Sequence, residues 1–216
     1  HYTDLNHDWT SKGWDVSALS FHKLINRIVQ DKGVAFGPHG FMQTFDLKSE
    51  AEKSKVFSEL SILLHWINEE FGVPAFVSSG TLLGLVRDGK LIGHDDDVDI
   101  CYVSNQASEA EILTERKQLV DFLIEKGCRV APSGIAHYWC TTPGGQNLDI
   151  FTGFIEDDKC SMNPIGRKRV LVEDVLPLNK QSFAGSVLYI PQNPEPLLVL
   201  NYGENWRNPD PLWTFN

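Results

Sequence analysis

Asp95, Asp96, Asp97 and Asp99 fall within five consecutive positions, followed by Val98, Ile100 and Tyr102 as apolar alternates. An acidic run is often only a solvated loop. In a strand, however, this alternation sends Asp97 and Asp99 to one face and the apolar side chains to the other. Two carboxylates side by side repel and hold on to protons unless a cation neutralises them. Hard oxygen ligands without a histidine or thiolate cluster favour Mg²⁺ or Mn²⁺, and Mg²⁺ commonly completes its shell with substrate phosphates. A calcium loop of the EF-hand type is excluded, because its glycine would fall at Ile100 and its bidentate glutamate at Gln106. Asp149, set between Leu148 and Ile150, has the same apolar flanking and is placed to reach the same cleft, with a structural aspartate as the plainer reading.

Other residues carry weaker signals. Ser79, Gly80 and Thr81 sit where a strand gives way to a helix, a place where N–H groups and hydroxyls hold phosphate oxygens. Arg87 offers a guanidinium to a phosphate or to one of the aspartates, against a surface salt bridge. Arg167, Lys168 and Arg169 form a compact basic cluster suited to an anionic donor or to plain solvation. Tyr202 and Trp206 read first as helix-end core packing and second as stacking residues.

The elements that must position these groups follow from periodicity. Apolar residues at helical spacing predict amphipathic helices over 17–32 and 49–71, the second carrying Val56, Leu60, Leu63, Leu64, Ile67 and Phe71. Residues 34–44 show no period and read as irregular. Ala75, Phe76 and Val77 make a short buried strand, followed by a turn and a helix beginning near Leu82. Ser108 and Glu111 form a capping-box signature for a helix that closes at Gly127. Stretches 136–142 and 147–154 flank Pro143, Gly144 and Gly145 as a hairpin presenting Asp149. A last helix runs through Leu197, Leu198, Leu200 and Tyr202. The mixture of helices and short strands is an α+β pattern.

Bulk properties narrow the function. The 216 residues, 42% of them hydrophobic, suffice for one proper core. A formal net charge of −10 argues against nucleic acid as a partner. No apolar run is long enough for a transmembrane segment. Cys101, Cys128, Cys140 and Cys160 are too widely spaced for a zinc or redox motif and read as buried free thiols. The start at His1 and the stop at Asn216 lead us to expect a domain cut from a larger multidomain protein.

The motif Ser79-Gly80-Thr81-Leu82-Leu83-Gly84, then Arg87 and Gly89, then Leu91-Ile92 leading into Asp95-Asp96-Asp97-Val98-Asp99-Ile100, resembles the signature of the LicD family, which includes the fukutin-related proteins. The likeness continues through Leu148-Asp149-Ile150-Phe151, Leu176-Pro177-Leu178, Phe183, Ile190-Pro191 and Tyr202-Gly203-Glu204-Asn205-Trp206. It implies a nucleotidyltransferase-like fold, with a small mixed or antiparallel sheet bearing catalytic aspartates and flanked by helices. It further implies that residues 51–216 form the catalytic domain and that residues 1–50 are a helical extension packing on it or linking to it.

The resemblance implies transfer of a phosphorylated alcohol (glycerol phosphate, ribitol phosphate or phosphocholine) from a CDP-activated donor to a glycan hydroxyl in surface polysaccharide synthesis, with release of CMP. Asp97, Asp99 and Asp149 would be the metal ligands and catalytic groups. Ser79, Gly80, Thr81, Arg87, His94, Arg167, Lys168 and Arg169 would serve the substrates. Gly93 and His94 depart from the proline and tryptophan frequent in the family, which touches substrate preference and leaves the acids intact. Rival readings are a glycosyltransferase or a nucleotidyltransferase using the same Asp-x-Asp site, and a non-catalytic glycan-binding module. The unpaired thiols and the lack of a signal pattern suit a bacterial cytoplasmic enzyme held at the membrane, if at all, by other parts of its full-length protein.

Overall fold

The computed structural model describes residues 18–37, 40–163 and 167–209. Ser17 and residues 38 and 39 of the 34–44 stretch lie outside them.

Helix α1 (Ala18–Lys32) is followed by a short antiparallel hairpin, β1 (Ala35–Gly37) with β2 (Gly40–Met42), where the sequence showed no period. Three-residue strands are too short to leave a readable alternation. A 3₁₀ turn (Phe45–Leu47) then leads to α2 (Glu50–His65), which opens with a reciprocal capping box between Ser49 and Glu52. Its buried face carries Val56, Phe57, Leu60, Leu63 and Leu64, each worth about 1.5–3 kcal/mol of transfer free energy. The helix widens into a π-helical stretch (Trp66–Phe71) that ends at Gly72 in the left-handed conformation, φ 89°. There Asn68 donates to the carbonyls of Leu64 and Ala75 and accepts the N–H of Ala75, which fixes the start of the next strand.

The main sheet is built from β3 (Ala75–Val77), β4 (Asp99–Ser104), β5 (Arg129–Gly134), β6 (His137–Thr141) and β7 (Asn147–Glu156), in the order β3-β4-β7-β6-β5. Only β4 and β7 run parallel in this path; the other neighbours are antiparallel. Between β3 and β4 lies α3 (Ser79–Asp88), and between β4 and β5 lies α4 (Glu109–Glu125), capped by Ser108 and Glu111 as the sequence predicts. Helix α4 covers one face of the sheet, with the Arg116 guanidinium 4.5 Å above the Tyr138 ring.

Beyond β7, the far end of the sheet gains β8 (Lys159–Ser161) and β9 (Val170–Leu171), and a short helix α5 (Val172–Val175) follows. The hairpin of β10 (Asn179–Phe183) and β11 (Ser186–Ile190) packs on α2, where Ser61 donates to the Val187 carbonyl at 2.8 Å. Helix α6 (Glu195–Tyr202) closes the described chain. All four cysteines are buried free thiols. No helix among the described residues is long and apolar enough to cross a membrane.

Candidate active site

The β3–α3 junction places the first functional backbone. Thr81, Leu82, Leu83 and Leu85 bury themselves, so the helix already starts at Ser79 rather than near Leu82. The small polar residues form its first turn instead of preceding it. Ser79 adopts φ +46°, an uncommon conformation for a residue with a side chain. Thr81 Oγ1 accepts the N–H of Asp99 at 2.9 Å, and the Ser78 N–H donates to the Asp99 carbonyl at 3.0 Å. The helix start is thereby tied to the first residue of β4. Ser78 Oγ, at the N-cap, is buried and has no hydrogen-bond partner.

Gly80 is required by proximity: a Cβ there would lie 2.8 Å from Asp95 Oδ2 and 3.9 Å from Asp99 Oδ2. Its N–H acts on the Asp99 carboxylate to lower that group's proton affinity.

Strand β4 begins at Asp99, so Asp97 stands in the loop just before it rather than within the strand. Parallel pairing of β4 with β7 sets Asp99 directly beside Asp149, and the Asp149 N–H donates to the Val98 carbonyl at 2.8 Å. The register brings one oxygen each of Asp97, Asp99 and Asp149 within 4.8 Å of one another, and Asp95, Asp96 and Asp97 form a second set at the same limit. At such separations two carboxylates repel by about 3–4 kcal/mol for an effective dielectric constant of 20.

Proton affinities respond accordingly. Burial, then the hydrogen bond and charge of Asp97, push Asp95 up to about 7. Burial and the charges of Asp97, Asp95 and Asp149 hold Asp99 well above the usual carboxylate range, against the opposing Gly80 N–H. Burial raises Asp149 as well, while His137 pulls it back. A set of carboxylate oxygens this close, destabilised when ionised, fits a divalent cation.

His137 is a member of the site that the sequence did not single out. Its Nε2 lies 3.2 Å from Asp149 Oδ2, a close polar contact without the alignment of a hydrogen bond. The imidazole stacks on Phe151, with centroids 4.8 Å apart at 16°. Only the β6–β7 register, in which His137 faces Phe151, reveals this. Burial, then the charges of Asp99 and Asp95, raise the Tyr202 phenol, with Arg87 opposing. Trp206 is core, 4% exposed.

The 3₁₀ turn is the other unforeseen element. The Phe45 N–H donates to the Asp95 carbonyl and the Asp46 N–H to the Gly93 carbonyl, each at 2.8 Å, while the Phe45 ring is buried in the core. The acid loop is thus clamped from a segment that lies before α2.

The remaining residues named from sequence are placed as follows. His94 is exposed in the turn immediately before Asp95. Arg87 lies near the end of α3, and its Nε and terminal nitrogen bind Asp88 Oδ2 at 2.9 and 2.8 Å, so its fork is engaged by a neighbour. The structure does not bring Arg167, Lys168 and Arg169 to the acids. Arg167 forms a fork on Glu156 and Lys168 binds Asp157. Glu156 closes β7, seven residues and roughly 23 Å along the strand from Asp149. Arg169 is exposed.

A raised carboxylate makes a testable statement about stability. With Asp95 at about 7 when folded and near 3.9 when unfolded, the native state binds more protons between these values, so metal-free stability falls as pH rises through that window. The melting temperature of chelator-treated protein is expected to drop by roughly 5 °C between pH 5.5 and pH 8 from this source. Millimolar Mg²⁺ at pH 8 should restore it, and Asp95→Asn should flatten the dependence. An equal drop in Asp95→Asn would assign the effect to other groups.

The mixed sheet, the helix start facing it and the three converging acids define a transferase of the nucleotidyltransferase fold. Residues 72–193 match the family described as LicD/FKTN/FKRP, nucleotidyltransferase domain, and the chain belongs to that family. No curated protein matches the chain. Among solved structures, it is similar to the lincosamide antibiotic adenylyltransferase LnuA bound to lincomycin, at 17% identity over 65% of this chain and 83% of that one, TM-score 0.45. It is also similar to ANT(2")-Ia in complex with adenylyl-2"-tobramycin, at 13% identity over 65% of this chain and 70% of that one, TM-score 0.44. A third likeness is to the Thermotoga maritima CCA-adding enzyme complexed with tRNA, at 20% identity over 47% of this chain and 24% of that one, TM-score 0.29.

Proposed function

We propose that this domain transfers a phosphorylated alcohol (glycerol phosphate, ribitol phosphate or phosphocholine) from a CDP-activated donor to a glycan hydroxyl, releasing CMP, in surface polysaccharide synthesis. The observation that carries this reading is the convergence of Asp97, Asp99 and Asp149 within 4.8 Å, opposite the helix start at Gly80. In this reading residues 51–216 are the catalytic domain and residues 1–50 a helical extension that packs on it or links to it. In the same reading the enzyme is bacterial and cytoplasmic.

Asp97, Asp99 and Asp149 would hold Mg²⁺ or Mn²⁺, which when bound offsets charge on the donor diphosphate and on the departing CMP. Ser79, Gly80 and Thr81 present the first turn of α3 to the phosphate oxygens, and the Thr81 hydroxyl, which accepts from Asp99, keeps its own proton to donate. Asp149 takes the proton of the acceptor hydroxyl. His137 holds the Asp149 carboxylate from the side away from Asp99. The acceptor oxygen forms its bond to the phosphorus that bears the alcohol, the bridging P–O bond breaks, and the electron pair leaves with CMP. Arg87 steadies the phosphates only after exchanging Asp88 for them. The Arg167 cluster takes no part in the chemical step.

The direct test incubates the protein with CDP-glycerol, CDP-ribitol and CDP-choline, Mg²⁺ and a glycan acceptor. CMP release that depends on protein and metal is expected with one of the donors. Pyrophosphate released from a nucleoside triphosphate instead, with the nucleotide on the product, would replace this reading by nucleotidyl transfer. Near wild-type turnover in Asp149→Asn would remove Asp149 from the role of base.

A further inference from the structure

We infer that Trp139 is the platform on which the sugar ring carrying the acceptor hydroxyl stacks, an assignment that rests on the transfer reaction proposed above. Trp139 is 56% exposed, an unusual state for an indole in the middle of a strand. Its position explains why it stays uncovered. The register pairs Asp99 with Asp149 and Asp149 with Trp139, so the three side chains leave the same face of three adjacent strands. With neighbouring strands roughly 4.8 Å apart, Trp139 stands about 5 Å from Asp149 and about 10 Å from Asp99 along this row. The next member of the row, Ala131, is exposed and too small to cover the indole.

The order of the row separates donor from acceptor. The helix start at Ser79 and Gly80 adjoins Asp99 from the β3 side, the side opposite Asp149. A diphosphate held there has its leaving CMP on that side, because attacking and leaving oxygens lie roughly in line. The incoming hydroxyl must then approach over Asp149, and the next surface outward is the indole. Its orientation is braced: the His137 ring meets it edge-on, with centroids 5.9 Å apart at 84°, and His137 is itself stacked on Phe151. A flat, fixed aromatic face with a polarised π system suits the C–H face of a pyranose, and the carboxylate beside it is in reach of that ring's hydroxyl.

The test needs no turnover. Saturation-transfer NMR on the full chain with the methyl glycosides of glucose, galactose and N-acetylglucosamine is paired with calorimetric titration of CMP. Transfer to the ring C–H protons of at least one glycoside is expected, at least fivefold weaker in Trp139→Ala and retained in Trp139→Phe. The affinity for CMP should stay within twofold in both variants. Glycoside signals that do not depend on Trp139, no glycoside signal at all, or a tenfold loss of CMP affinity in Trp139→Ala would each overturn the assignment, the last by giving the indole to the nucleobase. Failure of every CDP donor to release CMP is read in a separate assay and would sink the transfer reaction instead.

Discussion

Asp99→Asn is expected to lower kcat by about 10³-fold while leaving the fold intact, because it removes one charge from the centre of the acid set and almost nothing else. Asp99 is the residue to which the whole arrangement is tied. Its N–H is held by Thr81 Oγ1, its carbonyl by the Ser78 N–H, and its position in the sheet by pairing with Asp149. An asparagine amide keeps the shape, but it cannot neutralise a cation. The same change relieves repulsion from Asp97, Asp95 and Asp149. The metal-free variant should therefore melt at or above the wild-type temperature, and added Mg²⁺ should stabilise it less. CMP release from the active donor, circular dichroism and calorimetry read the three effects. Retention of more than a tenth of wild-type turnover would mean that the chemistry lies elsewhere.

The largest loss of stability from a single methyl group is expected in Gly84→Ala. A Cβ at Gly84 would stand 2.6 Å from the Lys90 carbonyl oxygen and 3.0 Å from both Ile92 N and Ile92 Cγ1. These are mostly backbone atoms of the segment that turns back at Gly89, φ +68°, and runs over α3 to the acids. Backbone cannot yield as the tip of a side chain does, so overpacking should cost about 2–3 kcal/mol, or roughly 5–10 °C in melting temperature. Because the displaced segment leads directly into Asp95 and Asp97, turnover should fall as well, by about tenfold, with the residual activity equally metal-dependent. A variant that melts within 1–2 °C of wild type would show that α3 and this segment are less closely packed than the contact implies.

Much of this site was legible before any coordinates. The alternation Asp97-Val98-Asp99-Ile100 signalled an acidic face against a buried one, and Leu148-Asp149-Ile150 repeated the pattern. The turn at Pro143, Gly144 and Gly145 announced the hairpin, whose observed strands are His137–Thr141 and Asn147–Glu156. The helix start lies before Leu82 because Ser79, Gly80 and Thr81, which look like a loop, are tied to β4 through the Thr81 hydroxyl, which accepts the Asp99 N–H. The basic run Arg167-Lys168-Arg169 shows the reverse limit: its composition signals anion binding, but its partners Glu156 and Asp157 are close in sequence and claim it first.

What the sequence determined by itself is local: which residues lie on an acidic face, where a capping box opens a helix as at Ser108, and that carboxylates so spaced call for a cation. Such properties depend on neighbours within a few positions, and periodicity records them. What tertiary structure decided is adjacency across the sheet. Pairing of β4 with β7, some fifty residues later in the chain, puts Asp149 beside Asp99, and pairing of β6 with β7 puts His137 and Trp139 beside Asp149. Sheet register is chosen by how buried faces pack together, so a histidine and an exposed indole with no motif of their own acquire meaning only once the strands are aligned.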